Sequence, residues 1–185
     1  TSRERLQGLV AHIRELDELV LELLSYSRLQ NPAQSPEQVE VSLDEFIDSI
    51  LGSVDEELDS PDIVIDVLLH GQLERFSLDP RLTARAIQNL LRNAMRYCEK
   101  RIQIGVQVSA DGCGIWVDDD GIGIPDDERE RIFEPFYRLP GASEKEGGVG
   151  LGLSLVKSIA ERHQGSVRCE SRPGGGARFV VELPL

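Results

Sequence analysis

Long hydrophobic runs are missing from this 185-residue chain. With them goes any membrane-spanning segment, which would need roughly 20 consecutive apolar residues. No secretory leader is legible at the start, so a cytoplasmic location without direct membrane contact is expected. Cysteine is scarce: Cys98, Cys113 and Cys169 are odd in number, far apart and without a C-x-x-C pair. That pattern excludes a disulfide framework or a cysteine zinc site and fits a reducing compartment. Basic residues are in deficit, 20 Lys and Arg against 33 Asp and Glu for a formal net charge of −13. Nucleic acid is therefore excluded as the main partner, because its phosphates would be repelled. Three phosphate-binding signatures are absent as well: the G-x-x-x-x-G-K-[ST] loop, the G-x-G-x-x-G turn of a βαβ unit, and the V-A-I-K and H-R-D companions of protein kinases.

What is present divides the chain in two. Leu6, Leu9, Ile13, Leu16, Val20 and Leu23 recur three and four apart, the seam of one long amphipathic helix that needs another helix to cover it. That partner is either missing from the chain or a second copy, which predicts a homodimer through this helix. His12 on the helix reads as a solvated or partly packed residue. NPAQSPEQ, residues 31–38, then ends the helix at Pro32 and serves as a linker between residues 1–30 and a domain over residues 39–185.

The second unit alternates strands and helices, an α+β pattern. A short strand at Val39–Val41 precedes a helix from Leu43 to about Leu58 capped by Ser42. Strands over Asp62–Leu69 and Leu73–Leu78 flank His70-Gly71 as a hairpin-like turn. Asp79-Pro80 starts a helix running to about Tyr97. Strands over Arg101–Ser109 and Cys113–Asp118, a helix over Leu151–Arg162, and strands over Ser166–Ser171 and Ala177–Leu183 complete the sheet. His163, just past the Leu151–Arg162 helix, reads as a favourable C-terminal charge or a surface group.

Two glycine turns carry the chemistry. VDDDGIGIP (Val117–Pro125) and GGVGLGLSLVKSIA (Gly147–Ala160) each read singly as ordinary surface loops. A carboxylate precedes the first, however, and the second feeds an apolar helix, whose unpaired N–H groups and positive dipole end favour a phosphate chain. Asp119, at the end of its strand, can accept a hydrogen bond from the exocyclic amine of adenine, where guanine offers only an acceptor. Arg85, Asn89, Asn93 and Arg96 share one face of the preceding helix. Asparagine is a poor interior helix residue; its amide oxygen suits a Mg²⁺ ion that keeps waters and phosphate oxygens, and Arg96 can reach phosphate. Between the turns, Gly141–Val149 has the composition of a mobile lid.

NLLRNAMRY (Asn89–Tyr97), DDGIGIP (Asp119–Pro125), IFEPFYR (Ile132–Arg138) and GGVGLGL (Gly147–Leu153) resemble the N, G1, F and G2 boxes of bacterial sensor histidine kinases. The N-terminal helix, ending LLSYSRL, resembles the second helix of the family's dimerisation and phosphotransfer hairpin, whose first helix is absent. The resemblance implies a GHKL, or Bergerat, α/β sandwich, a mixed sheet covered by helices on one face. It implies ATP and Mg²⁺ as ligands, with Asn93 and the assisting Asn89 on the metal. Arg96 and Arg138 would lie on the phosphates, Tyr97 near the adenine and Asp119 on its amine. Gly121, Gly123 and Ile124 would form the first turn, and Gly148, Val149, Gly150, Leu151, Gly152 and Leu153 the phosphate-facing one. It further implies a cognate response regulator as partner and a parent protein anchored in the bacterial inner membrane. Two departures stand out. Gly176-Ala177 replaces a common Gly-Thr, and no H-[DE]-[LI]-[RK]-[TS]-P acceptor box exists, so the chain reads as a fragment that does not phosphorylate itself in cis. Hydrolytic GHKL relatives use a glutamate where this chain has Asn89, an amide without basicity, so the resemblance favours phosphoryl transfer to histidine over hydrolysis. A non-catalytic module that docks the regulator is the other alternative.

Overall fold

The computed structural model describes residues 2–29, 35–55, 62–71, 74–141 and 149–184. Residues 142–148, which include Gly148 and most of the expected lid, lie outside the described residues, as do residues 31–34 of the linker and residues 56–58 of the expected second helix.

The heptad-like segment forms α1 (Ser2–Leu29), and Leu6, Leu9, Ile13, Leu16, Val20 and Leu23 are each 44–61% exposed. Its last turn behaves differently, because Leu29 is buried in the domain core and Tyr26 packs beside it. No helix among the described residues is long and apolar enough to cross a membrane.

The order continues β1 (Val39–Ser42), α2 (Leu43–Asp55), β2 (Val64–Gly71), β3 (Arg75–Leu78), α3 (Pro80–Tyr97), β4 (Arg101–Val108), β5 (Gly112–Asp119), α4 (Gly152–Arg162), β6 (Ser166–Ser171) and β7 (Ala177–Pro184). Five strands form one sheet in the order β2-β4-β5-β7-β6. The β2–β4 pair is parallel and the other three pairs are antiparallel. A parallel pair needs a long crossover, and α3 lies within the segment that supplies it. Strand alternation then builds the core: Ile102, Ile104 and Val106, Ile115 and Val117, and Phe179 and Val181 are all buried. They share a cluster with Ile87, Leu90 and Leu91 of α3 and Leu155 and Ile159 of α4. This is the mixed sheet under helices that the motifs implied.

α3 begins as its sequence dictates. Asp79 is the N-cap, accepting from the Arg81 and Leu82 N–H groups at 3.0 Å each, with Pro80 at the first helical position.

The hairpin expected around His70-Gly71 does not exist. β2 runs straight through both residues in register with β4, His70 opposite Gln107 and Gly71 opposite Val108. β3 pairs instead with β1 in a separate two-stranded sheet. The reason lies in the side chains of β3: Phe76 and Leu78 alternate inward, and Phe76 meets Phe46 of α2 edge-on at 6.3 Å between centroids. Burying that face under α2 outweighed a local turn.

On the sheet face away from the helices, the single tryptophan lies across a glycine. Gly105 pairs with Trp116, and a Cβ on Gly105 would stand 1.8 Å from the indole Cε2. Gly105→Val should therefore displace the ring and destabilise the fold by about 1–3 kcal/mol. Urea unfolding followed by Trp116 emission checks this; an unchanged midpoint and spectrum would show that the glycine is not needed.

Candidate nucleotide site

Three consecutive aspartates at the end of β5 meet three different fates, and strand parity decides them. Asp118 points to the open face of the sheet, where Arg178 grips it with two bonds, Nε to Oδ1 at 2.7 Å and a terminal nitrogen to Oδ2 at 2.6 Å. Asp119 points to the helix side, in line with Cys113, Ile115 and Val117, and is 3% exposed. Asp120 lies beyond the strand and accepts from the backbone N–H groups of Glu99, Lys100 and Arg101 at 2.9, 3.1 and 3.1 Å.

Asp119 Oδ1 accepts from Gly121 N at 2.9 Å and from Ala177 N at 3.4 Å. Both donors converge on one oxygen, which leaves Oδ2 to meet an incoming donor. Burial raises the Asp119 pKa above the usual carboxylate range, against the opposing effect of those two N–H groups. Burial also acts on Asp120, but its bonds from Arg101, Lys100 and Glu99 outweigh it and lower that pKa.

The glycines are close-approach positions. A Cβ on Gly121 would stand 2.0 Å from the Tyr97 carbonyl oxygen, so the first turn seats directly on the end of α3. At Gly150, φ is +81°, and a Cβ would stand 2.7 Å from the Tyr137 carbonyl. Phe136, itself at φ 64°, donates its N–H to Gly150 O at 2.9 Å, which ties the IFEPFYR segment to the second turn. Tyr137 donates to the Glu128 carboxylate, and the Arg131 guanidinium lies 4.5 Å from the Tyr137 ring centroid. Leu151 is fully buried and Gly152 opens α4.

A Cβ on Gly152 would stand 3.2 Å from Asn89 Oδ1 and 3.6 Å from Glu22 Oε1 of α1. The α3 polar face and the second turn therefore meet. Asn89 donates Nδ2 to Arg85 O at 2.9 Å, which turns its oxygen toward Gly152. Asn93 is half-buried one turn further on. Among the described residues no three His, Cys, Asp or Glu side chains gather as metal ligands. For a divalent ion at this corner, the hard, neutral Asn89 and Asn93 oxygens would fit Mg²⁺.

Of the remaining expected residues, Tyr97, Ile124, Arg138, Val149 and Leu153 are half-buried, and Arg96 is exposed in the last turn of α3. A cavity of about 860 Å³ adjoins the first turn, lined by Tyr97, Ile122, Ile124 and Leu139 together with Arg129 and Arg172. Asp119, Gly121, Asn89, Asn93, Arg96, Arg138 and the described residues of the second glycine turn do not line it. The site thus has two ends, one at the α3 amides and one at the first turn. Sequence reasoning missed the second wall, Arg129 and Ser171–Gly176, since Pro173–Gly176, PGGG between the last two strands, reads only as a tight turn. Its signal was geometric: Gly176 has φ +95°, and a Cβ there would stand 1.9 Å from Asp119 O. His163 also departs from expectation. It is buried, with Nδ1 on the Ile159 carbonyl at 2.8 Å, because the turn after α4 folds it back onto its own helix.

Residues 78–185 match the family described as "Histidine kinase-, DNA gyrase B-, and HSP90-like ATPase", and the chain belongs to that family. The sensor protein RstB of Escherichia coli (strain K12) is 38% identical over 180 residues, covering 97% of this chain and 41% of RstB. The catalytic domain of histidine kinase ThkA superposes with a TM-score of 0.66 at 27% identity, over 80% of this chain and 97% of that one. Full-length ShkA in complex with AMPPNP gives a TM-score of 0.81 over 96% of this chain and 38% of that one; at 24% identity it supports the fold alone. Within the family the chain corresponds to the ATP-binding catalytic portion of such sensor histidine kinases, and it spans less than half the length of RstB.

Because burial raises the Asp119 pKa, its folded value lies above its unfolded one, and the ionised carboxylate costs the fold stability at neutral pH. That cost shrinks as pH falls through the raised pKa. Asp119→Asn should consequently keep or slightly raise stability while weakening ATP binding at least tenfold (about 1.4 kcal/mol or more). Calorimetry and thermal unfolding check the two halves; unchanged affinity would remove Asp119 from the base contact.

Proposed function

We propose that this chain binds Mg-ATP and transfers the γ-phosphoryl group to a histidine side chain supplied by a phosphotransfer hairpin, for relay to an aspartate of a cognate response regulator. The observation that carries this reading is the meeting of Asn89 with Gly152 at the start of α4. It puts an amide where a hydrolytic relative needs a basic carboxylate, so the corner can hold a metal and phosphates without activating water.

Transfer here depends on position and charge. Asp119 and Tyr97 hold the base, and the N–H groups at the start of α4 meet phosphate oxygens. Asn93, helped by Asn89, would hold Mg²⁺, which would supply positive charge to offset that of the phosphate chain. Arg96 and Arg138 face the γ-phosphate and stabilise the charge that develops during in-line transfer. The apolar seam of α1, exposed along the described helix, packs against a second protomer. The parent protein sits at the inner membrane with this part in the cytoplasm.

ATP hydrolysis is the second reading, and Glu22 favours it, being the carboxylate whose oxygen comes close to Gly152. It stands on α1 rather than on α3, so it would act only while α1 keeps this position.

Labelled ATP incubated with the chain and a separately supplied acceptor hairpin distinguishes these readings. Acid-labile, base-stable phosphohistidine on the hairpin, and none on the chain alone, is the expected result. Free phosphate would favour hydrolysis, and neither product would leave a binding module. Asn93→Ala should weaken ATP binding about tenfold with Mg²⁺ and little without it, since it removes a metal ligand and no base contact. Equal losses in both conditions, measured by calorimetry with and without EDTA, would sink the metal role.

A further inference from the structure

Arg129 lies in none of the motifs that mark the site, yet its guanidinium joins the segments that make the base end. It follows the short 3₁₀ turn Asp126–Glu128, and its side chain is 23% exposed. Nε donates to the Ile124 carbonyl at 3.2 Å, and a terminal nitrogen donates to Ser171 Oγ at 2.5 Å and pairs with Asp126 at 2.6 Å.

Those partners complete a ring. Asp119 holds Gly121 N, and the turn from Gly121 leads to Ile124, whose carbonyl Arg129 holds. Arg129 reaches across to Ser171, the last residue of β6, and the Arg172–Gly176 turn returns to Asp119, where Ala177 N donates to the same Oδ1. Arg129, Ile124, Ser171 and Gly176 all line the cavity of about 860 Å³, and Asp119 stands behind the turn without lining it. The first glycine turn is therefore pinned at both ends, one pin being the carboxylate that recognises the base and the other Arg129. Lysine cannot reproduce this, because a single ammonium lacks the planar fork that serves a carbonyl, a hydroxyl and a carboxylate together.

We propose that Arg129 is a positioning residue for nucleotide recognition, holding the Gly121–Ile124 turn against the end of β6 so that the adenine of ATP meets a preformed base end. This rests on the reading of the site as an ATP site. Without the clamp, binding must order the turn, and that cost falls on base affinity.

The test measures the affinity of the 185-residue chain for ATP and for adenosine in wild type, Arg129→Ala, Arg129→Lys and Ser171→Ala. Arg129→Ala should lose on the order of tenfold for both ligands by the same factor, as expected for removal of a charged hydrogen-bond donor. Arg129→Lys should recover part of the loss, Ser171→Ala should show a smaller one, and the Ala/Ala double variant should lose no more than Arg129→Ala. In transfer to a supplied hairpin, KM for ATP should rise while kcat holds. Should Arg129→Ala not fold, as judged by circular dichroism, Arg129→Lys and Ser171→Ala carry the same comparison.

Unchanged affinity in the variants, a loss for ATP without one for adenosine, or a fall in kcat at constant KM would overturn the proposal while the ATP reading stands. A wild-type chain that binds neither ligand would overturn both.

Discussion

The parity of β5 is the constraint on which the site depends. Its register against β4 and β7 sends Cys113, Ile115 and Val117 into the core, and the same alternation carries Asp119 in behind them at the strand's end. A one-residue slip would exchange Asp119 for Asp118 and place the Arg178-bound carboxylate under the helices. The apolar residues of one strand thus aim a charged one. Burial of that carboxylate costs stability, and the two N–H groups on Oδ1 offset the cost in part.

Around Asp119 the packing is backbone on backbone. Gly121 meets Tyr97, Gly176 meets Asp119, and Gly150 meets Phe136 and Tyr137, each at a distance that a side chain would obstruct. Three segments far apart in sequence can therefore approach a nucleotide with their main chains, whose N–H groups are the donors that phosphates need. Of these three glycines, Gly150 and Gly176 combine such contacts with positive φ, so at Gly121 the requirement is space rather than conformation.

α1 divides into two regimes. Its seam is largely exposed, but Leu29 enters the domain core and Glu22 comes close to the start of α4. Burial raises Cys113 and Cys169 to a pKa of about 12, which makes both thiols inert and fits their role as small core residues.

Short-range physics made much of this legible from the letters. The Asp79-Pro80 start of α3, the polar and apolar faces of that helix, the strand boundaries near β4 to β7 and the glycine turns all follow from local propensity, periodicity and capping, and the four motifs pointed to the family. Long-range pairing was not legible. Nothing in His70-Gly71 announces that β2 ignores β3 and joins β4, because that choice is made by burying Phe76 and Leu78 beneath α2. Nor could the sequence place His163 in the interior or join Arg129 to Ser171, since these contacts depend on how turns fold back onto elements already packed. The sequence by itself determined the four motifs and which residue types stand in them, as side-chain type and local spacing are properties of the chain. Only the tertiary structure decided which of three adjacent aspartates turns to the helix side and what clamps the turn beside it, because both depend on register and on the cooperative burial of apolar faces.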